Sequence, residues 1–198
     1  SESTYDWFDR LTKQKYGKYN FSYSYDANGN VLSESDEENK INYTYEYNND
    51  NQQISVSAKD GDVLVKKEFE YDLYDRNNKV TIFFDNDLIF TNMLNYDDND
   101  KIINSSTTYG DRNLSMDYAY NVDDTIKTKE LHLDDKVLVT SYDYLRQDEH
   151  ATGLVSNYKV YFNNESFINK KLTYCVSGNI TSIKSKDNLT TYKYDKLS

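Results

Sequence analysis

The chain has 198 residues, 23 Lys plus Arg against 34 Asp plus Glu, a net charge of −11 and a single cysteine, Cys175. That balance argues against nucleic acid and anionic lipid, which need a basic stripe; the longest basic runs are the pairs Lys66-Lys67 and Lys170-Lys171. A lone cysteine excludes an intrachain disulfide, and with no run near 18 consecutive apolar residues no membrane insertion is expected.

Twenty-one tyrosines and 23 asparagines beside four alanines and no proline point to strands and turns rather than helices. In chain order the first unit ends its strand at Tyr5 and continues Asp6-Trp7-Phe8-Asp9-Arg10-Leu11-Thr12. The second runs Tyr23-Ser24-Tyr25-Asp26-Ala27-Asn28-Gly29-Asn30-Val31. The same order recurs with last tyrosines at Tyr47, Tyr74, Tyr96, Tyr120, Tyr144, Tyr174 and Tyr194, so residues 1–198 read as one array of about nine units of roughly 24 residues. An aliphatic residue stands six positions on at Leu11, Val31, Val80, Ile102, Ile126 and Ile180; Tyr47 finds Ile54 at seven, and Tyr144 finds His150 at six. Leu, Ile and Val number 36 of 198, which by chance would give about 1.5 such matches in eight.

Within a unit the apolar period is two, as in Tyr43-Thr44-Tyr45-Glu46-Tyr47 and in Met116, Tyr118 and Tyr120, which places the rings on one face of a strand. Tyr142 and Tyr144 follow the same rule. Turn formers separate the strands at Gly17-Lys18, Asp60-Gly61, Asp85-Asn86, Gly110-Asp111, Asp134-Asp135, Asn163-Asn164 and Lys186-Asp187-Asn188. The expected fold is all-β, an array of antiparallel hairpins with about 16 to 18 strands. A flat sheet of that size would extend roughly 80 Å, so it should coil into a curved band or superhelix. The candidate structural core is Tyr25, Val31, Tyr45, Tyr47, Tyr74, Val80, Tyr96, Ile102, Tyr118, Tyr120, Ile126, Tyr142, Tyr144, Tyr174, Ile180 and Tyr194, held as a cross-strand ladder of rings.

Other chemistry finds little support. Asp85-Asn86-Asp87, Asp97-Asp98-Asn99-Asp100 and Asp123-Asp124 offer clustered oxygens for calcium, yet none fits a twelve-residue calcium loop and all use the residues that turns use. His132 and His150 lack zinc spacing, and Ser156-Asn157-Tyr158-Lys159 is a Ser-x-x-Lys without partner motifs. No catalytic residue, metal or cofactor is therefore expected, and the chain is read as not an enzyme. The tyrosines could alternatively form an aromatic platform for sugars or unfolded polypeptide.

The Tyr-Asp-Ala-Asn-Gly-Asn-Val of residues 25–31, the Tyr-Asp…Arg-Leu-Thr of residues 5–12 and the Gly178-Asn179-Ile180 of the eighth unit resemble the YD repeat, also called the Rhs repeat. Glycine stays in two copies, and Leu145 to Val155 fits no unit. The resemblance implies a spiral β-sheet wrapping into a hollow shell. Such shells enclose a C-terminal toxin in bacterial polymorphic toxins and insecticidal toxin complexes, and teneurins carry a similar barrel. The implied partners are neighbouring repeats and an enclosed toxin domain, and the implied location is secreted or cell-surface. An extracellular adhesion or wall-binding repeat module is the alternative. The array starts and stops in mid-repeat, so it reads as a piece of a longer one, with sheet edges that should self-associate.

Overall fold

The structure, a computed structural model, describes residues 1–147 and 150–195, and at positions 150 and 151 the backbone alone. The side chain of His150 and the final Lys196-Leu197-Ser198 thus lie outside the described residues. Those residues form 17 antiparallel strands and no helix, inside the expected number.

The chain divides into two compact units, Ser1–Leu94 with Thr107–Asp111, and Asn95–Ser106 with Arg112–Ser198. The strands run β1 (Glu2–Tyr5), β2 (Leu11–Tyr16), β3 (Tyr19–Tyr25), β4 (Val31–Asp36), β5 (Ile41–Tyr47), β6 (Gln53–Asp60), β7 (Val63–Tyr71), β8 (Asn77–Phe84), β9 (Asp87–Tyr96) and β10 (Ile102–Tyr109). They continue as β11 (Arg112–Tyr120), β12 (Ile126–Leu133), β13 (Lys136–Gln147), β14 (His150–Phe162), β15 (Glu165–Tyr174), β16 (Ile180–Lys184) and β17 (Leu189–Thr191). In the first unit each strand from β1 to β9 pairs with its chain neighbour, and in the second each from β11 to β17 does the same.

Two kinds of turn alternate. On one border are tight hairpins. Asp85 and Asn86 both adopt positive φ, 48° and 71°, as do Asn163 and Asn164 at 45° and 68°, the left-handed pair that matches the twist of the flanking strands. On the other border a five-residue loop follows each of Tyr5, Tyr25, Tyr47, Tyr71, Tyr96, Tyr120 and Tyr174. The strand leaving that loop carries one extra residue: Thr4 faces Lys13 while Tyr5 faces Leu11, and Ser24 faces Ser33 while Tyr25 faces Val31. The same bulge stands beside Tyr47, Tyr71, Tyr120 and Tyr174. A bulge repeated in register adds twist at each repeat. It also explains the misplaced aliphatic of the third unit, because Gln53 holds the paired position and Ile54 is the bulged residue.

Burial is shallow. Among the described residues only Val160, Ser55 and Thr81 are more than nine-tenths buried. Among strand pairs lying within one unit, only chain neighbours touch. The rings are covered by adjacent strands, and in β5 the alternation is clean, with Tyr43, Tyr45 and Tyr47 half-buried and Asn42, Thr44 and Glu46 exposed. Half-covering an aromatic ring removes on the order of 100 Å² from water, about 2–3 kcal/mol per ring.

Candidate functional site

Five of these loops are built around the side chain of the residue after the tyrosine. Asp6 Oδ1 accepts the backbone N–H of Phe8 at 2.8 Å and of Arg10 at 3.0 Å. Asp26 does so from Asn28 and Asn30, Asn48 from Asp50 and Gln52, Asp72 from Tyr74 and Arg76, and Asp97 from Asn99 and Lys101. A short acceptor side chain can do this only from the first loop position, which is why Asp or Asn recurs there. The fourth position is left-handed in every copy: Asp9, Asn51, Asp75, Asp100 and Asp124 have φ between 58° and 67°, and Gly29 and Gly178 have 94° and 85°. The glycine that the sequence seemed to lose is thus replaced by the two side-chain types that tolerate this conformation.

The fifth loop residue answers the first. In three of the loops that begin with Asp, the fifth donates to the first: Arg10 Nε to Asp6 Oδ2 at 2.6 Å, Asn30 Nδ2 to Asp26 Oδ2 at 2.8 Å, Arg76 Nε to Asp72 Oδ2 at 2.7 Å. Where the first is Asn, the polarity reverses: Asn48 Nδ2 donates to Gln52 Oε1 at 2.7 Å and Asn121 Nδ2 to Thr125 Oγ1 at 2.9 Å. The carboxyl groups respond. Asn30's amide holds Asp26 below the usual carboxylate range against the effect of burial, with the loop N–H groups adding to it. At Asp72 burial pushes upward, and the Arg76 guanidinium with the N–H groups of Tyr74 and Arg76 outweighs it, leaving the carboxyl lowered.

Successive loops are tied by the tyrosines. Tyr25 Oη donates to the carbonyl of Leu11 at 2.7 Å and Tyr71 Oη to that of Gln53 at 2.8 Å. In the second unit Tyr120 reaches Ile102 O at 2.8 Å, Tyr144 reaches Ile126 O at 2.9 Å, Tyr174 reaches Val155 O at 2.7 Å and Tyr194 reaches Ile180 O at 2.8 Å. Every acceptor is the residue that closes the preceding loop, so each hydroxyl latches one repeat to the one before it. Side chains add a second seam: Asn30 Nδ2 donates to Asn51 Oδ1, Gln52 Nε2 to Asp75 Oδ1, and Lys101 to Asp124. Arg10 Nη1 reaches Asp26 O at 2.8 Å while its guanidinium lies 4.8 Å over the Tyr25 ring.

Three expectations change. Tyr74 is not a core residue: it stands inside a loop, 74% exposed, and Tyr71 holds the anchoring place, because the loop opens at Tyr71-Asp72 rather than at Tyr74-Asp75. Val80 therefore lies in mid-strand, facing Phe69 and Asn92, and Asn77 pairs with the anchor. The ring ladder is also replaced. The rings of Tyr142 and Tyr158 meet at 5.7 Å, the one aromatic pair among the described residues, because the anchors face aliphatic or polar partners such as Val31 for Tyr25, Val56 for Tyr45 and Lys129 for Tyr118. The tyrosines act through hydroxyl and half-burial. Past Tyr144, β13 continues to Gln147 and β14 starts at His150, and Val155 takes the paired place opposite Tyr144.

The remaining candidates are absorbed by local structure. Asp97 caps its own loop, Asp124 pairs with Lys101, and Asp85 accepts the N–H of Leu64 at 2.8 Å. No group of three His, Cys, Asp or Glu poised for a metal occurs among the described residues. Lys159 Nζ lies 3.5 Å from Asp143. A cluster the sequence did not suggest joins Asn104, Asp117 and His132, with Asn104 Nδ2 donating to Asp117 Oδ1 at 2.5 Å and His132 Nε2 3.0 Å from Oδ2; only strand register brings them together.

Cys175 occupies the loop seat that Asp or Asn holds elsewhere. Its Sγ lies 2.9 Å from Ser177 Oγ, and that hydroxyl, opposed by burial and helped by the backbone N–H groups of Asn179 and Ser177, lowers the thiol below its ordinary value. Alkylation of Cys175 by iodoacetamide should therefore reach its half-maximal rate at a lower pH than that of a free cysteine peptide. Cys175→Asp should raise the thermal midpoint by restoring a full acceptor; a lower midpoint would contradict this account of the seat.

The chain matches no protein-family model and no curated protein. Among solved structures it is similar to a chain of the Photorhabdus luminescens Tc holotoxin pore, at 12% identity and a TM-score of 0.40 over 93% of this chain. The match spans 12% of the length of that chain.

Proposed function

We propose that this chain is a non-enzymatic wall segment of a larger secreted or surface-exposed repeat protein, part of a curved β-shell around a C-terminal toxin or effector. One observation supports this most: the side chains that recur at repeat spacing are occupied with one another. Six anchoring tyrosine hydroxyls bind the preceding repeat, five Asp or Asn side chains bind their loop N–H groups, and in five loops the first and fifth side chains bind each other. A surface that bound sugar through its repeated tyrosines would leave their hydroxyls free, whereas a wall uses them as fasteners. The shallow burial within each unit agrees with a sheet whose work is to continue rather than to enclose a core of its own.

The test is limited proteolysis of the full-length parent protein. A C-terminal module that resists protease until the repeat region is cut, and degrades at once when expressed alone, is the expected result. A module digested equally fast in both settings would sink the containment reading.

A further inference from the structure

In a chain of net charge −11, one groove is basic. It lies between residues 166–171 of β15 and residues 184–188, holds about 770 Å³ and carries Lys170, Lys171, Lys184 and Lys186 against one lining carboxylate, Asp187. No ion pair joins any of these four lysines among the described residues. Two of them are placed at a cost. Lys171 and Lys184 face each other directly across β15 and β16, so their side chains share one face, and like charges directly opposed destabilise a sheet.

The groove exists because β16 is short. β15 pairs with β14 from Glu165 to Lys171, but with β16 only from Lys171 to Tyr174. From Ser166 to Lys170 the side of β15 that β16 would cover has no strand on it, about 16 Å of edge with its alternate N–H and C=O groups unpaired by the sheet. Lysines do guard sheet edges, but guarding needs a charge beside the edge and does not need two opposed on one face. The lysines instead flank the open edge on both faces, Lys171 with Lys184 on one and Lys170 on the other, while Phe167, the bulged residue between Ser166 and Ile168, stands 73% exposed at the far end of the edge.

We propose that this groove binds an extended acidic polypeptide segment, which adds to β15 as a further strand, sets carboxylates among Lys170, Lys171, Lys184 and Lys186, and places an apolar side chain on Phe167. The backbone edge selects polypeptide, the lysines select acidic sequence, and the edge length sets about five residues. A sulfated sugar would satisfy the lysines and leave the edge and Phe167 unused.

The probe is a fluorescein-labelled hexapeptide amide, Glu-Asp-Glu-Thr-Leu-Thr, together with its reversed sequence, measured by anisotropy against the 198-residue chain. At least one orientation should bind, and replacing the three acids with lysines should weaken binding at least tenfold. N-methylation of alternate residues should abolish binding in one frame and spare it in the other, the period-two signature of an added strand. Lys171→Glu with Lys184→Glu should lose binding at least tenfold while the far-ultraviolet dichroism stays unchanged; if that variant misfolds, the methylated peptides still decide the question on the unmodified chain. No binding of either orientation at 1 mM, equal tolerance of both methylation frames, or full displacement by a sulfated oligosaccharide that binds more tightly would each overturn the proposal.

Discussion

Replacing Tyr120, Tyr144 and Tyr174 together with phenylalanine should lower the thermal midpoint by roughly 6–12 °C, the largest loss available from removing three oxygen atoms. Each substitution keeps the ring and its half-burial and removes only the hydroxyl that reaches Ile102, Ile126 or Val155. One such bond contributes about 1 kcal/mol net, and the orphaned carbonyl beneath a ring adds to the loss. Neighbouring latches stand two strands apart, roughly 9–10 Å, so their effects should sum to about 3 kcal/mol. In a chain of this size 1 kcal/mol moves the midpoint by about 2–4 °C. Burial pushes the pKa of all three phenols above the ordinary tyrosine value, so the donors stay protonated at neutral pH. The matched control is Tyr74→Phe, an exposed loop residue that should change stability by less than about 0.5 kcal/mol. If scanning calorimetry found the triple variant as stable as the parent, the hydroxyls would be incidental and the latch would lose its role.

The array was legible in the sequence because its period comes from backbone geometry that few residues can satisfy. A loop whose first residue must accept two N–H groups and whose fourth must be left-handed leaves Asp, Asn and Gly as the practical choices, and these are visible at Asp26, Gly29, Asn48 and Asn51. The strand alternation of Tyr43, Tyr45 and Tyr47 was legible for the same kind of reason. What misled was the double signal Tyr71-Asp72-Leu73-Tyr74-Asp75, in which both tyrosines precede an aspartate. The two readings part only at the fifth loop residue: from Asp72 it is Arg76, a donor for the carboxylate, whereas from Asp75 it would be Lys79, which instead pairs with Glu70 across the strands. The latch itself was hidden, because its acceptor is a backbone carbonyl that carries no side-chain signature. The same holds for the edge beside Lys170, which appears only once β16 is seen to stop at Lys184.

The pairing of first and fifth loop residues leads to the second large effect. Asp72→Asn should lower the midpoint by about 2–4 °C although Asn holds the same seat at Asn48 and Asn121. In those copies the amide donates to Gln52 or Thr125, but here it would meet the Arg76 guanidinium, a donor facing a donor. Adding Arg76→Gln recreates the Asn48–Gln52 pair and should recover most of the loss. A double-mutant cycle isolates that coupling; additive losses would mean that the two residues act independently. The pH dependence carries an independent reading. Asp72 titrates in the folded chain below its unfolded value near 4, so its stabilisation is complete above that pH and disappears as the pH falls through the lowered folded value. Asp6, Asp26 and Asp36 are lowered in the same direction and reinforce one acid limb. The double variant carries no carboxyl at the first position of this loop, so its midpoint should fall less steeply as the pH drops below 4 than that of the parent. An unchanged acid limb would show that the Asp72 carboxylate adds nothing that an amide does not, and the choice between Asp–Arg and Asn–Gln would then be one of solubility rather than of loop stability.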